Sequence, residues 1–269
     1  MKNKPLDHLT IQPFIEQIVI PKADSRKGEN GRVLVIGGSK LFHAASCWSA
    51  TMASKIVDMV HFSSPTIENN ELMRARAKGL FWDGIVIDFS DIDHYIEEDD
   101  CILIGPGMER GEETKKIVNE LLAKYPGKKW VVDGGALQEV NPLLLNSKMI
   151  VTPNFKEMEI LLHHYTIKQL NQLGVTVLAK GQIDVITSGG ERIEIDGGSA
   201  GMTKGGTGDV LAGLVAGLYA KSPAMTSCVV ASQANKRAGE ELEKTLGPFF
   251  SAGDLIPQVQ ISLQSILKL

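Results

Sequence analysis

Arg32-Val33-Leu34-Val35-Ile36-Gly37-Gly38-Ser39 is a short apolar, β-branched run that stops at a pair of glycines. A continuous apolar run of this length, bounded by a turn, reads as a strand buried on both faces. The same form returns along the chain. Ile104 is followed by Gly105-Pro106-Gly107, Val132 by Asp133-Gly134-Gly135, Val151 by Thr152-Pro153-Asn154, and Ala179 by Lys180-Gly181. Between these units lie longer segments of helical periodicity, and strand–helix alternation predicts an α/β fold with a parallel sheet. Strands are expected at 32–36, 59–63, 85–88, 101–104, 130–132, 149–151, 176–179, 184–186 and 192–195. Helices are expected at 44–57, 70–79, 112–124, 155–163, 166–173, 209–220, 224–244 and 254–267. The last three strands have no helix between them, and Ser188-Gly189-Gly190-Glu191 reads as the turn of an antiparallel hairpin at one sheet edge. In an open parallel sheet all five strand–turn units share one edge, the carboxyl ends of the strands, where such sheets bind ligands.

Composition narrows the classes. The chain has 269 residues, 43% of them apolar and 22% charged, which suits one globular domain over 1–269 and excludes collagen, coiled coil and disorder. Net charge is 28 − 32 = −4, so no broad positive field exists for a nucleic acid or an anionic membrane, and neither is expected as a partner. Cys47, Cys101 and Cys228 are odd in number and without CxxC spacing, which predicts free, buried thiols in a reducing cytoplasm. The stretch 1–14 lacks the apolar core of a signal peptide. The longest apolar run, 210–220, is 11 residues including two glycines, where a bilayer span needs about 20. Glycine is over-represented, 27 of 269 against roughly 7% in ordinary proteins.

Six of those 27 fall between Gly197 and Gly208, in GGSAGMTKGGTG, immediately before Asp209 and the apolar helix VLAGLVAGLYA. A glycine-rich loop entering a helix presents unpaired N–H groups and the positive end of the helix dipole, a site for phosphate. Asp209 has two compatible readings. It caps the helix, or it is a base that takes the proton of an attacking hydroxyl while the loop stabilises a phosphoryl group in transfer.

Other phosphate and nucleophile motifs fail on the letters. The one Gly-Lys pair, Gly127-Lys128, has Leu122 where a P-loop needs its first glycine. Gly105-Pro106-Gly107 is followed by Met108-Glu109-Arg110, not by GxGxxG spacing. Gly197-Gly198-Ser199-Ala200-Gly201 has the letters of a nucleophile elbow, but no His follows Ser199 anywhere in the chain.

The loop GMTKGGTGDVLAG resembles the signature of the NAD(P)H-hydrate dehydratases of the ribokinase-like superfamily. KGENGRVLVIGGS, IGPGM, VVDGGAL, VTPNFKEMEIL and VLAKGQIDVI follow the same family in order, from about Lys27 to the C-terminus. The resemblance implies a three-layer α/β/α sandwich with a mostly parallel central sheet, and a stand-alone dehydratase without an epimerase domain. It implies an enzyme, a carbon–oxygen lyase that repairs hydrated NADH or NADPH. ADP, or ATP, phosphorylates the C6 hydroxyl and phosphate then leaves. Asp209 matches the substrate-contacting base, and Gly205, Gly206, Thr207 and Gly208 match the anion hole. Lys180, Gly181, Gln182, Ile183 and Asp184, with Gly208, match the nucleotide segment, and Ala45, Gly107 and Asn154 match substrate contacts. Mg²⁺ is expected as cofactor because phosphoryl transfer needs charge neutralisation, and a homo-oligomer is expected from the family's habit.

The chain departs from the family pattern in four places. Asn154 stands where His is usual, Ala44 where Gly is usual, Gly135 replaces a second carboxylate after Asp133, and Asp184 replaces a threonine. Asn hydrogen-bonds but does not titrate near neutral pH as His does.

Three further features read as structural. His163 and His164 are adjacent on a helix, point about 100° apart and do not share a metal. Glu97-Glu98-Asp99-Asp100 reads as a solvated acidic run. Leu214 and Leu218 read as core, and Gly213 and Gly217 are expected to let their helix lie close to the sheet. Two rival functions stay open at this level. One is a kinase of a small alcohol or vitamin precursor on the same fold, the other a nucleotide-binding protein without catalysis.

Overall fold

The computed structural model describes residues 8–79 and 83–269; residues 1–7, half of the 1–14 stretch considered above, lie outside them, as does the side chain of His164. In chain order the elements are α1 (His8–Ile15), β1 (Arg32–Ile36), α2 (Ala44–Ala53), β2 (Met59–Ser63), α3 (Ile67–Gly79), β3 (Gly84–Val86), α4 (Ile92–Glu98) and β4 (Cys101–Ile104). They continue with α5 (Glu112–Lys124), β5 (Lys129–Val132), α6 (Gly134–Glu139), β6 (Met149–Val151), α7 (Phe155–His164), α8 (Ile167–Leu173) and β7 (Thr176–Ala179). The chain ends with β8 (Asp184–Ser188), β9 (Glu191–Ile195), α9 (Thr207–Lys221), α10 (Ala224–Leu246) and α11 (Ala252–Leu267). Among the described residues the strands form one sheet in the order β3-β2-β1-β4-β5-β6-β7-β8-β9. The pairings from β3 to β7 are parallel, and β8 and β9 are antiparallel at the edge.

The apolar runs are continuous because the sheet is covered on both faces. In β1, Val33 and Val35 join the core under α2, α9, α10 and α11, whereas Leu34 and Ile36 join the core under α4 to α8. Cys101 and Leu103 divide from Ile102 and Ile104 in the same way. Each strand side chain alternates between the two layers, as a period of two requires. Cys47, Cys101 and Cys228 are free and buried, as expected.

Strand order fixes what the sequence left open. β1 leads into α2 on one face of the sheet, and its neighbour β4 leads into α5 on the other. The order therefore reverses between β1 and β4, and a crevice opens outside their carboxyl ends.

Several expectations need correction. α2 stops at Ala53 rather than at 57, α1, α4 and α6 were not foreseen, and α9 begins at Thr207 rather than Asp209. α6 opens on Gly134-Gly135, which read as a turn; its place between β5 and β6, packed against α5 and α7, makes it a helix. Gly213 and Gly217 do not serve the sheet. A Cβ on Gly213 would come 2.3 Å from the Ser49 carbonyl and one on Gly217 2.8 Å from Ile56, so these glycines let α9 press against α2 and the turn that follows it. Leu214 and Leu218 are core, as read.

The acidic run is only partly solvated. Glu97 and Glu98 are exposed, but Asp99, 1% exposed, holds the Nδ1 of His61, itself 1% exposed, through both carboxylate oxygens at 3.0 and 2.9 Å. Burial pushes the Asp99 pKa up despite this partner. Replacing His61 with Leu leaves a buried carboxylate without its donor and is expected to cost about 3 kcal/mol of stability. Urea unfolding checks this, and restoring stability with the second change Asp99→Asn would tie the loss to the stranded charge.

Candidate active site

The five turns after β1, β4, β5, β6 and β7 lie on one edge and are hydrogen-bonded in succession. Gly38 N donates to Pro106 O (2.8 Å), Gly135 N to Gly105 O (3.2 Å), Thr152 Oγ1 to Asp133 Oδ1 (2.7 Å), and Lys180 N to Pro153 O (2.7 Å). The crevice at the strand-order reversal holds two of the expected substrate positions. Gly107 has φ +73, and a Cβ there would meet the Phe42 carbonyl at 2.7 Å and the Ala45 Cβ at 3.1 Å. Only glycine fits that bend, and it brings Ala45 against the β4 turn.

The glycine-rich loop reaches the same edge from the other side. Gly206, with φ +96, is the N-cap of α9, and a Cβ there would press on Trp48 and Ala252 at 2.8 Å. With the helix beginning at Thr207, the N-cap is Gly206 and Asp209 sits in the first turn, where its carboxylate meets only its own backbone N–H. Among the described residues the N–H groups of Gly205, Gly206 and Gly208 have no partner, so the loop offers free donors at a helix N-terminus, the arrangement that suits an oxyanion. Thr207 contributes differently from its neighbours. Its hydroxyl hydrogen-bonds to the carbonyls of Met202 (2.5 Å) and Lys204 (2.9 Å), bracing the loop from inside. Ser49 of α2 holds the other side through a 2.9 Å hydrogen bond to the Asp209 carbonyl.

A cluster of charge surrounds Asp209. Lys180 Nζ donates to Asp133 Oδ1 at 2.6 Å, and Asp133 is 3% exposed. The Lys180 ammonium also lies 3.6 Å from where a Cβ on Gly208 would be, so a side chain at 208 would cover it. Glu157 is buried next to them, its Oε1 accepting from Gln138 (3.1 Å) and its Oε2 from Asn154 N (2.9 Å). Burial and the charge of Asp133 push the Asp209 pKa up to about 7 against the pull of Lys180, with Glu157 adding to the rise. Burial also raises Glu157. Lys180 is buried, which opposes its charge, yet Asp133 and Glu157 hold its pKa above the ordinary value. A carboxyl poised near neutrality beside unpaired N–H groups and a fixed ammonium can accept a proton while negative charge is stabilised nearby.

A cleft of about 830 Å³ opens beside this cluster. Asn154, Lys180, Gly181, Gln182, Asp184, Thr207 and Gly208 line it, together with the loop 196–200, Asn235 and Lys236. Ile183 is not on its wall. Asp184 is 4% exposed, and its carboxylate accepts from Gly181 N (2.9 Å) and Ser232 Oγ (2.7 Å), which shapes the turn rather than leaving oxygens for a ligand. Asn154 is the N-cap of α7, its Oδ1 accepting from Glu157 N at 3.0 Å, so only its Nδ2 remains for a ligand. His163 is exposed and remote from the expected roles.

Sequence reasoning missed Asp133, Thr152 and Glu157 as members of the cluster. A signal existed for each: Asp133 and Thr152 are the polar residues that directly follow strands, and Asn154-x-x-Glu157 has capping-box spacing. Among the described residues no three His, Cys, Asp or Glu side chains form a metal cage.

Among known proteins, the NAD(P)H-hydrate dehydratase family model matches residues 33–260. The ADP-dependent (S)-NAD(P)H-hydrate dehydratase of Nitrosopumilus maritimus is 32% identical over 296 residues, covering 100% of both chains. The bifunctional NAD(P)H-hydrate repair enzyme of Methanocaldococcus jannaschii is 33% identical over 244 residues, which cover 88% of this chain and 49% of that one. The chain thus spans about half the length of that bifunctional relative. In structure, a ribokinase-like superfamily protein of Enterococcus faecalis superposes with a TM-score of 0.81 at 24% identity, covering 99% of each chain. An ADP/ATP-dependent NAD(P)H-hydrate dehydratase of Bacillus subtilis, co-crystallised with ATP and Mg²⁺, superposes with a TM-score of 0.77 at 18% identity, covering 99% of this chain and 100% of that one. These likenesses establish the ribokinase-like fold.

Proposed function

The chain belongs to the NAD(P)H-hydrate dehydratase family, and on that premise we propose that it restores hydrated NADH or NADPH at the expense of ADP or ATP. The observation that carries the reading is the Asp209 carboxyl, poised near neutrality between the unpaired N–H groups of the 205–208 loop and the Lys180 ammonium. Asp209 takes the proton of the C6 hydroxyl as that oxygen attacks the terminal phosphorus of the nucleotide. Gly205, Gly206 and Gly208 receive the oxygens of the moving phosphoryl group, while Thr207 keeps the loop in shape. Lys180 has one donor committed to Asp133 and two left for phosphate. Phosphate then leaves C6 with a proton from the neighbouring ring carbon, restoring the double bond. The turn 181–184 borders the nucleotide, and Asn154, Ala45 and Gly107 border the hydrated dinucleotide, the last two at the sheet crevice.

Mg²⁺ fits the residues present. It keeps several waters and is usually held by one or two carboxylates plus substrate phosphates. Asp133, whose Oδ2 has no partner among the described residues, would hold it. When bound it supplies neutralisation of phosphate charge.

No helix among the described residues is long and apolar enough to cross a membrane. A single catalytic domain over 1–269, a cytoplasmic location and a homo-oligomer complete the reading; light scattering on the purified chain checks the last. The activity test is direct. With hydrated NADH or NADPH, Mg²⁺ and ADP or ATP, the reduced-nicotinamide absorbance is expected to return and phosphate to appear in equal amount. No recovery with either nucleotide and either dinucleotide would overturn the proposal, and accumulation of a stable phosphate ester would convert it to a small-alcohol kinase.

A further inference from the structure

Two lysines line the nucleotide cleft, and they are built for different work. Lys180 spends one N–H on a carboxylate. Lys236, on α10 and 4% exposed, spends its ammonium on three backbone carbonyls: Gln182 O at 2.8 Å, Gly181 O at 3.0 Å and Gly197 O at 3.3 Å. An ammonium has three N–H donors and no more, so none is left for a nucleotide phosphate. Asp184 Oδ1 lies 3.4 Å from the same nitrogen and supplies the balancing charge. Ser232, one helical turn before Lys236, donates to the other Asp184 oxygen.

Three carbonyl oxygens and a carboxylate converging on one positive centre form the kind of shell that coordinates a metal cation through oxygen. The carbonyls come from two separate segments, the turn after β7 and the loop after β9, which face each other across the cleft wall. Without the cation between them, these dipoles would point at one another with the buried Asp184 charge uncompensated.

We propose that Lys236 is a built-in monovalent cation: its ammonium is the ion around which the 181–182 turn and Gly197 are coordinated, so that the cleft takes up adenine nucleotide without a dissolved cation. Lys236 is thus a positioning residue that touches no phosphate. The inference deepens the proposed function and rests on it for the identity of the nucleotide.

The test compares the full chain with Lys236→Ala in sodium, potassium, ammonium and methylammonium chloride at constant ionic strength. Calorimetry with ADP and with ATP is expected to give wild-type affinities independent of the cation. For Lys236→Ala in sodium the affinity is expected to fall about 10- to 100-fold, the range typical when a group that orients a ligand shell is removed, and to recover in ammonium or methylammonium. The loss is expected in KM for nucleotide, with kcat at saturation close to wild type. Methylammonium is also expected to raise the melting temperature of Lys236→Ala and not of the wild type, because an ion that binds the vacated shell stabilises the fold. Wild-type affinity in Lys236→Ala, a loss that no cation restores, or a melting temperature indifferent to methylammonium would each overturn the inference. A wild type that binds neither nucleotide refutes the proposed function instead, and the melting arm still decides on the cation shell.

Discussion

Asp209→Asn is expected to abolish turnover and, above neutral pH, to make the protein more stable. The two effects have one origin. The site holds a carboxyl where burial and the charge of Asp133 oppose its ionisation, so the folded pKa stands at about 7 against an ordinary 3.8. Between those values the folded state binds more protons than the unfolded chain, and stability falls as pH rises from about 4 to about 7. A rise of that size corresponds to roughly 4 kcal/mol at full effect, a ceiling for a side chain that keeps some contact with water. Asparagine has no charge to desolvate. Its melting temperature is expected to exceed that of the wild type by several degrees at pH 8, with the gap closing at pH 4. Loss of a positioned base is expected to lower kcat by about 10²- to 10⁴-fold, with nucleotide binding kept. Wild-type kcat/KM should rise with pH through about 7, and the variant's residual rate should lack that limb. Unchanged kcat would remove Asp209 from the mechanism; equal melting temperatures at pH 8 would show that its charge carries no burial cost.

Lys180→Met is expected to give the second largest loss, and to move the pH dependence of what remains. Lys180 is the group that draws the Asp209 pKa down against burial and the neighbouring acids. Without it Asp209 holds its proton more tightly, so the acid limb of the rate profile should move to higher pH. The variant also strips Asp133 of its 2.6 Å partner, leaving the buried carboxylate with Thr152. The two ammonium donors that the proposed function gives to phosphate disappear, and loss of one such fixed group typically costs about 10²- to 10³-fold in rate. Steady-state rates from pH 6 to 9 check both parts. An acid limb at the wild-type position would show that the two residues are not coupled, and an unchanged kcat/KM for nucleotide would place Lys180 outside the phosphate site.

Much of the site was legible because its backbone chemistry is local. A glycine pair, a threonine, a glycine and an aspartate ahead of an apolar helix specify unpaired N–H groups and an acid beside them wherever the segment lies. Gly107 could be read for the same reason, since a backbone at positive φ in contact with its surroundings needs a residue without Cβ. The strands were legible because both of their faces are buried, so each reads as an unbroken apolar run.

What could not be read depends on partners far along the chain. Asp133 and Glu157 are 24 residues apart in sequence and Lys180 a further 23, and nothing local says that they share one pocket. The expected solvation of the 97–100 run failed at Asp99 because His61 comes to it from β2, far back in the chain. Lys236 looks like an ordinary helix lysine until the carbonyls of residues 181, 182 and 197 are seen around it.

The sequence by itself thus determined the α/β class, the shared edge of glycine turns, the glycine loop with its free N–H groups and the acid that follows it, since each follows from short-range sterics and from hydrophobic period. Tertiary structure alone decided the strand order that opens the crevice between β1 and β4, the elevation of the Asp209 pKa and the different duties of Lys180 and Lys236. Those properties come from burial and from Coulomb interactions between groups that only the folded sheet brings within a few ångströms, and both depend on distance in space rather than along the chain.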